Sequence, residues 1–437
     1  MPAAGTSWGR YPKVAEASQR LLHVRDRAAP VPAFQGRTLP YGNGRSYGDS
    51  CLNPGGTLLC TRGLDHFICF DADAGLLECE AGTTLAEILA LVVPQGWFPP
   101  VTPGTRFITV GGAIANDVHG KNHAFAGSFG DHVLQLELLR SDGSRLVCSP
   151  SNEAGLFRAT MGGLGLTGLV TRAMLQLRRI HGTGMEIETR RFDRLADFFA
   201  ISAETAGSEY RVAWVDCLAR GAALGRGVYT HGGHAAAGVP EMRARRARPS
   251  VPVTPPFSLV NPASLRAFNT IYYRRTPARP RRSIVHYDPF FYPLDGIADW
   301  NRLYGPRGFL QYQCVVPPAG AEAATAEMLD RIAASGQGSF LVVLKQFGDR
   351  VGRGMLSFPR PGTTLAMDFP FRGPATLALL ESLDRVVMAA GGAVYPAKDA
   401  RMSPEMFAAS FPALSAFREY IDPRFSSGFW RRVTGEA

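Results

Sequence analysis

Three glycine-rich junctions, at 42–48, 104–112 and 162–168, interrupt the first part of this 437-residue chain and limit what it can fold into. The middle one opens PGTRFITVGGAIANDVHGKNHAFAGSF, Pro103 to Phe129. The stretch is small and apolar from Val110 to Ala115, then turns polar at Asn116, Asp117, His119, Lys121 and Asn122. Glycine lets main-chain N–H groups approach a bulky polar ligand with no Cβ in between. A Gly-Gly step entering a helical turn adds the positive end of that helix. The stretch therefore predicts a cradle with reactive groups on its rim; the plainer alternative is a tight turn packed under a sheet.

The loop YGNGRSYGDS (41–50) has three glycines but lacks G-x-x-x-x-G-K-[ST], so it is no P-loop. It does not have the strand–G-x-G-x-x-G–helix order of a dinucleotide fingerprint either. What remains is an anion nest, with N–H groups around Gly42, Gly44 and Ser46 converging on a pyrophosphate. The pairing of this loop with PGT…VGGAIA and then GGLGLTG gives the signal its weight.

The length predicts two or three domains. No run of about 18 apolar residues predicts a membrane span, and MPAAGTSWGRYPK reads as no signal segment. Seven cysteines without C-x-x-C predict free buried thiols and a cytoplasmic protein, with contact at the inner membrane face left open. The net charge of +10 comes almost wholly from arginine, since lysine stands only at 13, 121, 345 and 398. Scattered arginines and no recognisable module exclude nucleic acid as the expected partner. The concentration from Arg243 to Arg282 fits anionic lipid headgroups, a phosphorylated substrate, or a solvated loop. A retained lysine in so arginine-rich a chain points to a compact, titratable ammonium that guanidinium cannot replace.

Along the chain, residues 1–34 predict a capped helix followed by a loop. TLLCT, HFICFD and LLECEAG predict short strands joined by turns. Thr84 to Glu87 reads as a capping box, and Asp142-Gly143 as a hairpin turn. Beyond His181 strand signals alternate with helices near 192–206 and 375–392, predicting an antiparallel sheet with helices on one side. His231-Gly-Gly-His234 has a metal-like spacing, but with no carboxylate or thiol beside it the segment reads as a polar loop; no metal is expected.

GNGRSYGD, PGTRFITVGGAIANDVHGKNH, AGSFGDHV, GLGLTG, DWNRLYGP, GFLQYQ, SFLVVLKQFG, MDFP and YPAKDAR together resemble the decaprenylphosphoryl-β-D-ribose 2-oxidase family. That family belongs to the FAD-linked oxidoreductases of the vanillyl-alcohol-oxidase / p-cresol-methylhydroxylase type. The likeness runs from near residue 9 to the C-terminal DPRF. It implies an α+β flavoprotein: an FAD-binding domain at 1–180, a substrate domain with an antiparallel sheet at 181–385, and a segment at 386–437 returning to the first.

By the same resemblance, FAD is held by Pro40, Tyr41, Gly42, Asn43, Gly44, Arg45, Ser46, Tyr47, Gly48, Asp49 and Ser50. Gly104, Thr109, Val110, Gly111 and Gly112 complete its second loop, and Asn116, Asp117, Val118, His119, Val170 and Tyr395 its remaining contacts. Arg45 stands where related proteins carry a histidine bonded to flavin, so the FAD is non-covalent. Lys121, Trp214, Gln311, Gln313, Leu341, Val343, Lys345, Phe347 and Ala366 are implied to line the substrate pocket. Ala366 replaces a reactive cysteine, Thr364 an asparagine and Phe291 a tyrosine of mycobacterial members. The implied activity oxidises a polyprenyl-phosphate-linked pentose at C2, as the first half of an epimerisation finished by a short-chain NAD(P)H reductase. A soluble sugar, alditol or aldonolactone oxidase is the alternative, and a redox-silent scaffold a more distant one.

Taking hydride from a secondary alcohol also requires removal of the O–H proton, and positive charge where the acceptor gathers electrons. Lys398 is the first candidate for either role. His119 and Tyr47 are the other candidate proton handlers, and Lys121, Lys345, Gln311 and Gln313 the candidate substrate grips.

Overall fold

The computed structural model describes residues 5–29, 36–239, 242 and 249–436. Among them the strands form two large antiparallel sheets and two small ones. Arg20–His23, Thr57–Cys60 and Thr38–Tyr41 make a parallel three-stranded sheet in that order, which delivers the chain into the loop after Tyr41. The expected helix before residue 34 is absent from the described residues, which show a short 3-10 turn, Glu16–Ser18, and the strand Arg20–His23. Gly5 and Gly9 carry a helix-forming penalty and Pro12 lacks the N–H a helix needs, while Leu21 and Leu22 register against Leu58 and Leu59. TLLC thus belongs to this parallel sheet and not with the two strands that follow it.

Those two, Phe67–Asp71 and Leu76–Glu80, join Leu169–Gln176, Val133–Leu139 and Arg145–Cys148 in a five-stranded sheet. The last two pair antiparallel around Asp142-Gly143. The helix Leu85–Val92 begins with both halves of its capping box made, the Thr84 side chain accepting from Glu87 N and Glu87 accepting from Thr84 N. It buries Leu85, Ile88, Leu89 and Val92.

The eight-stranded sheet runs Arg281–His286, Gly184–Phe192, Gly227–His234, Tyr210–Val215, Val342–Phe347, Gly362–Pro370, Phe309–Val316, Ala393–Val394. Alternation assigns its two faces. Tyr312, Cys314, Leu344, Leu365 and Met367 form one core with Phe198, Leu329, Ile332, Leu380 and Leu383 of the helices Leu195–Glu204, Ala321–Ser335 and Pro374–Ala389. The intervening residues Gln311, Gln313, Val343, Lys345, Thr364 and Ala366 therefore face the first sheet unit. His231 and His234 lie in a strand of this sheet, not in a loop. Glu188 is the cross-strand partner of His231, 3.5 Å from its Nε2, so a carboxylate is present where none was expected. Among the described residues no group of three or more His, Cys, Asp or Glu is placed to hold a metal.

The Arg/Pro-rich segment is ordered over much of its length, as the helix Pro262–Arg275 and the strand Arg281–His286; Arg243, Arg245, Arg246 and Arg248 lie outside the described residues. All seven cysteines are free, with Cys69 exposed and Cys51 half-buried where burial was expected. Among the described residues no helix is long and apolar enough to cross a membrane.

The expected boundary at 385 falls inside the helix Pro374–Ala389. The chain then turns back onto the first unit. Thr38 N donates to Arg424 O at 2.7 Å and Gly428 N to Leu52 O at 2.8 Å. Arg432, in the helix Gly428–Thr434, holds Asp49 at 2.8 Å and Asp399 at 3.0 Å. This clamp presses the loop after Tyr41 onto the turn carrying Lys398, and Tyr47 N donates to Ala397 O at 3.0 Å. Contact is so close that a Cβ on Gly48 would stand 1.6 Å from the Asp399 carbonyl oxygen. Gly48→Ala should therefore lower stability by about 3 kcal/mol or more, at the upper end of overpacking costs. A thermal melt within a degree or two of the parent would contradict this packing.

Candidate active site

The two large sheets enclose a cavity of about 290 Å³, lined by all three glycine junctions and by the inner face of the eight-stranded sheet. One wall is the loop after Tyr41. The main-chain N–H groups of Gly42, Asn43, Gly44, Arg45 and Ser46 make no hydrogen bond among the described residues. Gly44 takes φ +60°, and a Cβ there would meet the Tyr41 hydroxyl at 2.3 Å. Asn43 Nδ2 donates to Phe107 O at 2.8 Å, tying this loop to the second one. The result is a run of free donors facing the cavity, as an anion nest requires.

The Gly-Gly turn behaves differently from the sequence expectation. Val110 N donates to Thr83 O and Gly111 N to Ala81 O, both at 2.8 Å, while Gly112 N donates to the Thr109 hydroxyl at 3.2 Å. The first N–H groups of the helix Val110–Ala115 are consumed by neighbouring chain, so its positive end is not free for a phosphate. Gly111 and Gly112 still line the cavity, and small size is what they contribute there.

The opposite wall is a row structure. Gln313 pairs with Ala366, Ala366 with Val343, and Val343 with Trp214 across adjacent strands. Gln311 pairs with Asp368 one step along, and Lys345 with Thr364 on the other side. Gln313 Nε2 donates to His119 Nε2 at 2.9 Å, which places the ring proton of neutral His119 on Nδ1, a buried atom with no partner. Burial, then the neighbouring Lys345, pushes the His119 pKa well down, so the ring is neutral.

Three of the four lysines meet here. Burial pushes Lys398 down to about 8, with Asp368 acting in the opposite direction. Its Nζ lies 4.0 Å from the Tyr47 ring centroid. Lys345 is pushed down to about 7 by burial and by Lys121 and Lys398, and donates to Gly120 O at 2.9 Å. Lys121, also pushed to about 7 by burial, donates to the carbonyls of Phe290 and Phe291. Tyr47 hydrogen-bonds Gln311, and burial beside Asp368 holds its phenol well above the ordinary value.

The cavity brings together Pro40, Gly42, Asn43, Gly44, Arg45, Ser46, Tyr47, Ser50, Gly104, Thr109, Gly111, Gly112, Asn116, Val118, His119, Val170 and Tyr395. Lys121, Gln311, Gln313, Leu341, Val343, Lys345, Ala366 and Lys398 line it too, as do Thr364 and Phe291, so all three departures from the mycobacterial pattern face it. Seven candidates do not line it. Tyr41 turns its hydroxyl to Thr6 O at 2.7 Å, Gly48 backs onto Asp399, and Asp49 pairs with Arg432. Val110 is core, and Asp117 accepts from Gly130 N at 2.9 Å and from the Ser357 hydroxyl. Trp214 donates to Phe340 O at 2.8 Å, and Phe347 packs 4.9 Å from the His119 ring.

Sequence reasoning passed over Trp8, which lines the cavity 4.3 Å from the Arg45 guanidinium, and Asp295 and Trp300 on a facing segment. It also passed over Asp368, which accepts from Gln311 Nε2 at 2.6 Å and from the Tyr304 hydroxyl at 3.3 Å. Its alternation with Thr364 and Ala366 along TLAMDFP (364–370) was the available signal.

FAD fits these residues. The free donors of residues 42–46 suit a diphosphate; Gly104, with nothing within 4 Å of its Cβ position, leaves room for a flat body. Buried His119 Nδ1, Arg45 Nε and Ser50 Oγ lack partners that such a ligand would supply. An FAD binding domain family matches residues 23–149. Fold and site define an FAD-dependent oxidoreductase, a two-domain flavoprotein of the VAO/PCMH type whose cofactor is not covalently linked.

The chain is 35% identical over 449 residues to decaprenylphosphoryl-β-D-ribose oxidase of Mycolicibacterium smegmatis, covering 98% of this chain and 96% of that protein. It belongs to that family. It is also 39% identical over 369 residues to an uncharacterised protein in the mprA 5′ region of Streptomyces coelicolor, covering 80% and 99%. A shorter likeness, 27% over 157 residues, links it to cytokinin dehydrogenase 4 of Arabidopsis thaliana, covering 35% and 30%.

The Asp368 carboxylate raises the Lys398 pKa against the effect of burial. Asp368→Asn should therefore move the lysine-governed limb of the pH–rate profile to lower pH, by about one unit. A limb that stays in place would show that Asp368 does not act on Lys398.

Proposed function

We propose that the chain oxidises a secondary hydroxyl of a sugar to a ketone, at C2 of a polyprenyl-phosphate-linked pentose. It would be the oxidative half of an epimerisation that a short-chain NAD(P)H reductase completes, working in the cytoplasm with peripheral contact at the inner membrane face. Bound FAD supplies the hydride acceptor, whose reduction gathers negative charge that neighbouring cations offset. The observation that carries the reading is Lys398, half-buried at the cavity wall with a pKa pushed down to about 8, beside Tyr47, Gln311 and Asp368.

Chemistry separates the three candidate proton handlers. A base must be in its deprotonated form and have a free lone pair near working pH. Tyr47 fails because its phenol is held far from ionisation. His119 fails because its Nε2 lone pair is taken by Gln313. Lys398 has an appreciable neutral fraction at mild pH and receives the hydroxyl proton, becoming an ammonium at the point where positive charge is needed. Gln311 and Gln313, two apart on one strand face, orient the sugar hydroxyls. Lys121 and Lys345, already turned to backbone carbonyls, hold the polar end of the cavity in place.

The family relative is, by its name, an oxidase of decaprenylphosphoryl-β-D-ribose, which supports a lipid-linked pentose. Anaerobic mixing of FAD-loaded protein with polyprenyl-phosphate pentoses should bleach the flavin absorbance, and Lys398→Met should slow bleaching by about 100-fold or more. Bleaching by free alditols or aldonolactones alone would move the assignment to a soluble-sugar oxidase. Flavin that no polyol or glycolipid bleaches would leave a redox-silent protein.

A further inference from the structure

We infer that the helix Pro262–Arg275 and the loop 249–259 form a docking face for an anionic lipid surface, set at the mouth of the cavity. The inference rests on the lipid-linked reading of the substrate and adds the surface that would present it.

The helix has two unlike faces. Leu265, Asn269 and Tyr273 point inward and are buried, with Asn269 Nδ2 donating to Asp216 at 2.6 Å. Phe268, Ile271 and Tyr272 share a second face at i, i+3, i+4 spacing; Ile271 points outward, while Phe268 and Tyr272 stay partly exposed above the residues they pack on. Ile271 is 66% exposed, and in the adjoining loop Phe257 is 67% and Val253 69% exposed. Scattered exposed apolar residues are ordinary, but large ones gathered on one helix and its neighbouring loop mark an interaction surface.

Charge selects the partner. No aspartate or glutamate occurs between Glu241 and Asp288, a stretch holding ten arginines. Among the described ones, Arg282 pairs with Glu188 at 3.0 Å, while Arg266, Arg274, Arg275, Arg279 and Arg281 pair with no carboxylate. An apolar helix face rimmed by arginines is the composition of an interfacial helix on anionic lipid.

Position ties this face to the site from two sides. Phe268 packs edge-on to Phe340 at 5.0 Å, Tyr272 lies 4.7 Å from Trp214, and Leu341 next in the chain lines the cavity. The loop runs beside the segment carrying Trp300, with Val251 N donating to Ala298 O at 3.0 Å and Leu259 N to Leu303 O at 2.9 Å. Trp300 also lines the cavity. A lipid tail left in a bilayer under this face would let its phosphate-linked head reach the sheet floor without leaving the membrane.

The test is flotation of the FAD-loaded full chain with phosphatidylcholine vesicles, with and without phosphatidylglycerol, for the parent, Phe257→Ser/Ile271→Glu, and Arg274→Gln/Arg275→Gln. The parent should float with anionic vesicles and do so less as salt rises. Phe257→Ser/Ile271→Glu should lose about tenfold in partitioning on both vesicle types; Arg274→Gln/Arg275→Gln should lose it mainly on the anionic ones. Failure of the parent to float, or variants that float like the parent, would overturn the inference. So would a parent that dimerises through this face, or that binds soluble polyglutamate as tightly as vesicles. Flavin bleaching by detergent-dispersed substrate, measured on the same samples, tests the oxidase reading separately, since none of these residues lines the cavity.

Discussion

Three lysines share one buried cavity, and their charge can be held there only if something answers it. Burial penalises each ammonium, and mutual repulsion deepens the penalty for Lys345, which feels both Lys121 and Lys398. The chain meets part of that cost with backbone carbonyls for Lys121 and Lys345, and with Asp368 for Lys398. A protein whose other positive charges are nearly all arginines keeps these lysines at the cavity because charge that switches with pH is useful next to a reacting hydroxyl. A hydride acceptor that gathers electrons during the reaction is the natural partner for them.

That constraint explains why the surrounding architecture is rigid. The lysines come from three places: a loop after a short helix, a central strand, and a turn near the C-terminus. Their convergence depends on the eight-stranded sheet facing the five-stranded one, and on the C-terminal return that locks Lys398 in register. Arg432, reaching both Asp49 and Asp399, couples the nest loop to the lysine turn, so a distortion of either is felt by the other. The tight glycine at 48 belongs to this coupling and not to ligand contact.

Much of this was legible in the sequence for physical reasons. Scarcity singled out Lys121, Lys345 and Lys398; alternation placed Gln311 with Gln313; the Thr84–Glu87 box fixed a helix start. Other features were hidden because they depend on partners distant in the chain. The N–H groups of Val110 and Gly111 looked free, yet carbonyls almost thirty residues earlier consume them. Asp117 looked like a rim residue because nothing local shows Ser357 waiting for it. Phe347 keeps the strand alternation of Val343 and Lys345 but sits past the end of the cavity, against His119. Asp368 reads as an ordinary strand carboxylate until the cross-strand register sets it beside Gln311.

The central claim is that the cavity lysines act electrically on the bound flavin. Its most direct measurement is the midpoint potential of the protein-bound FAD in the parent chain and in Lys398→Met. Removing that charge should lower the potential by roughly 30 mV or more, about a tenfold shift in a two-electron equilibrium. A potential that stays the same or rises, with flavin still fully bound, would contradict it.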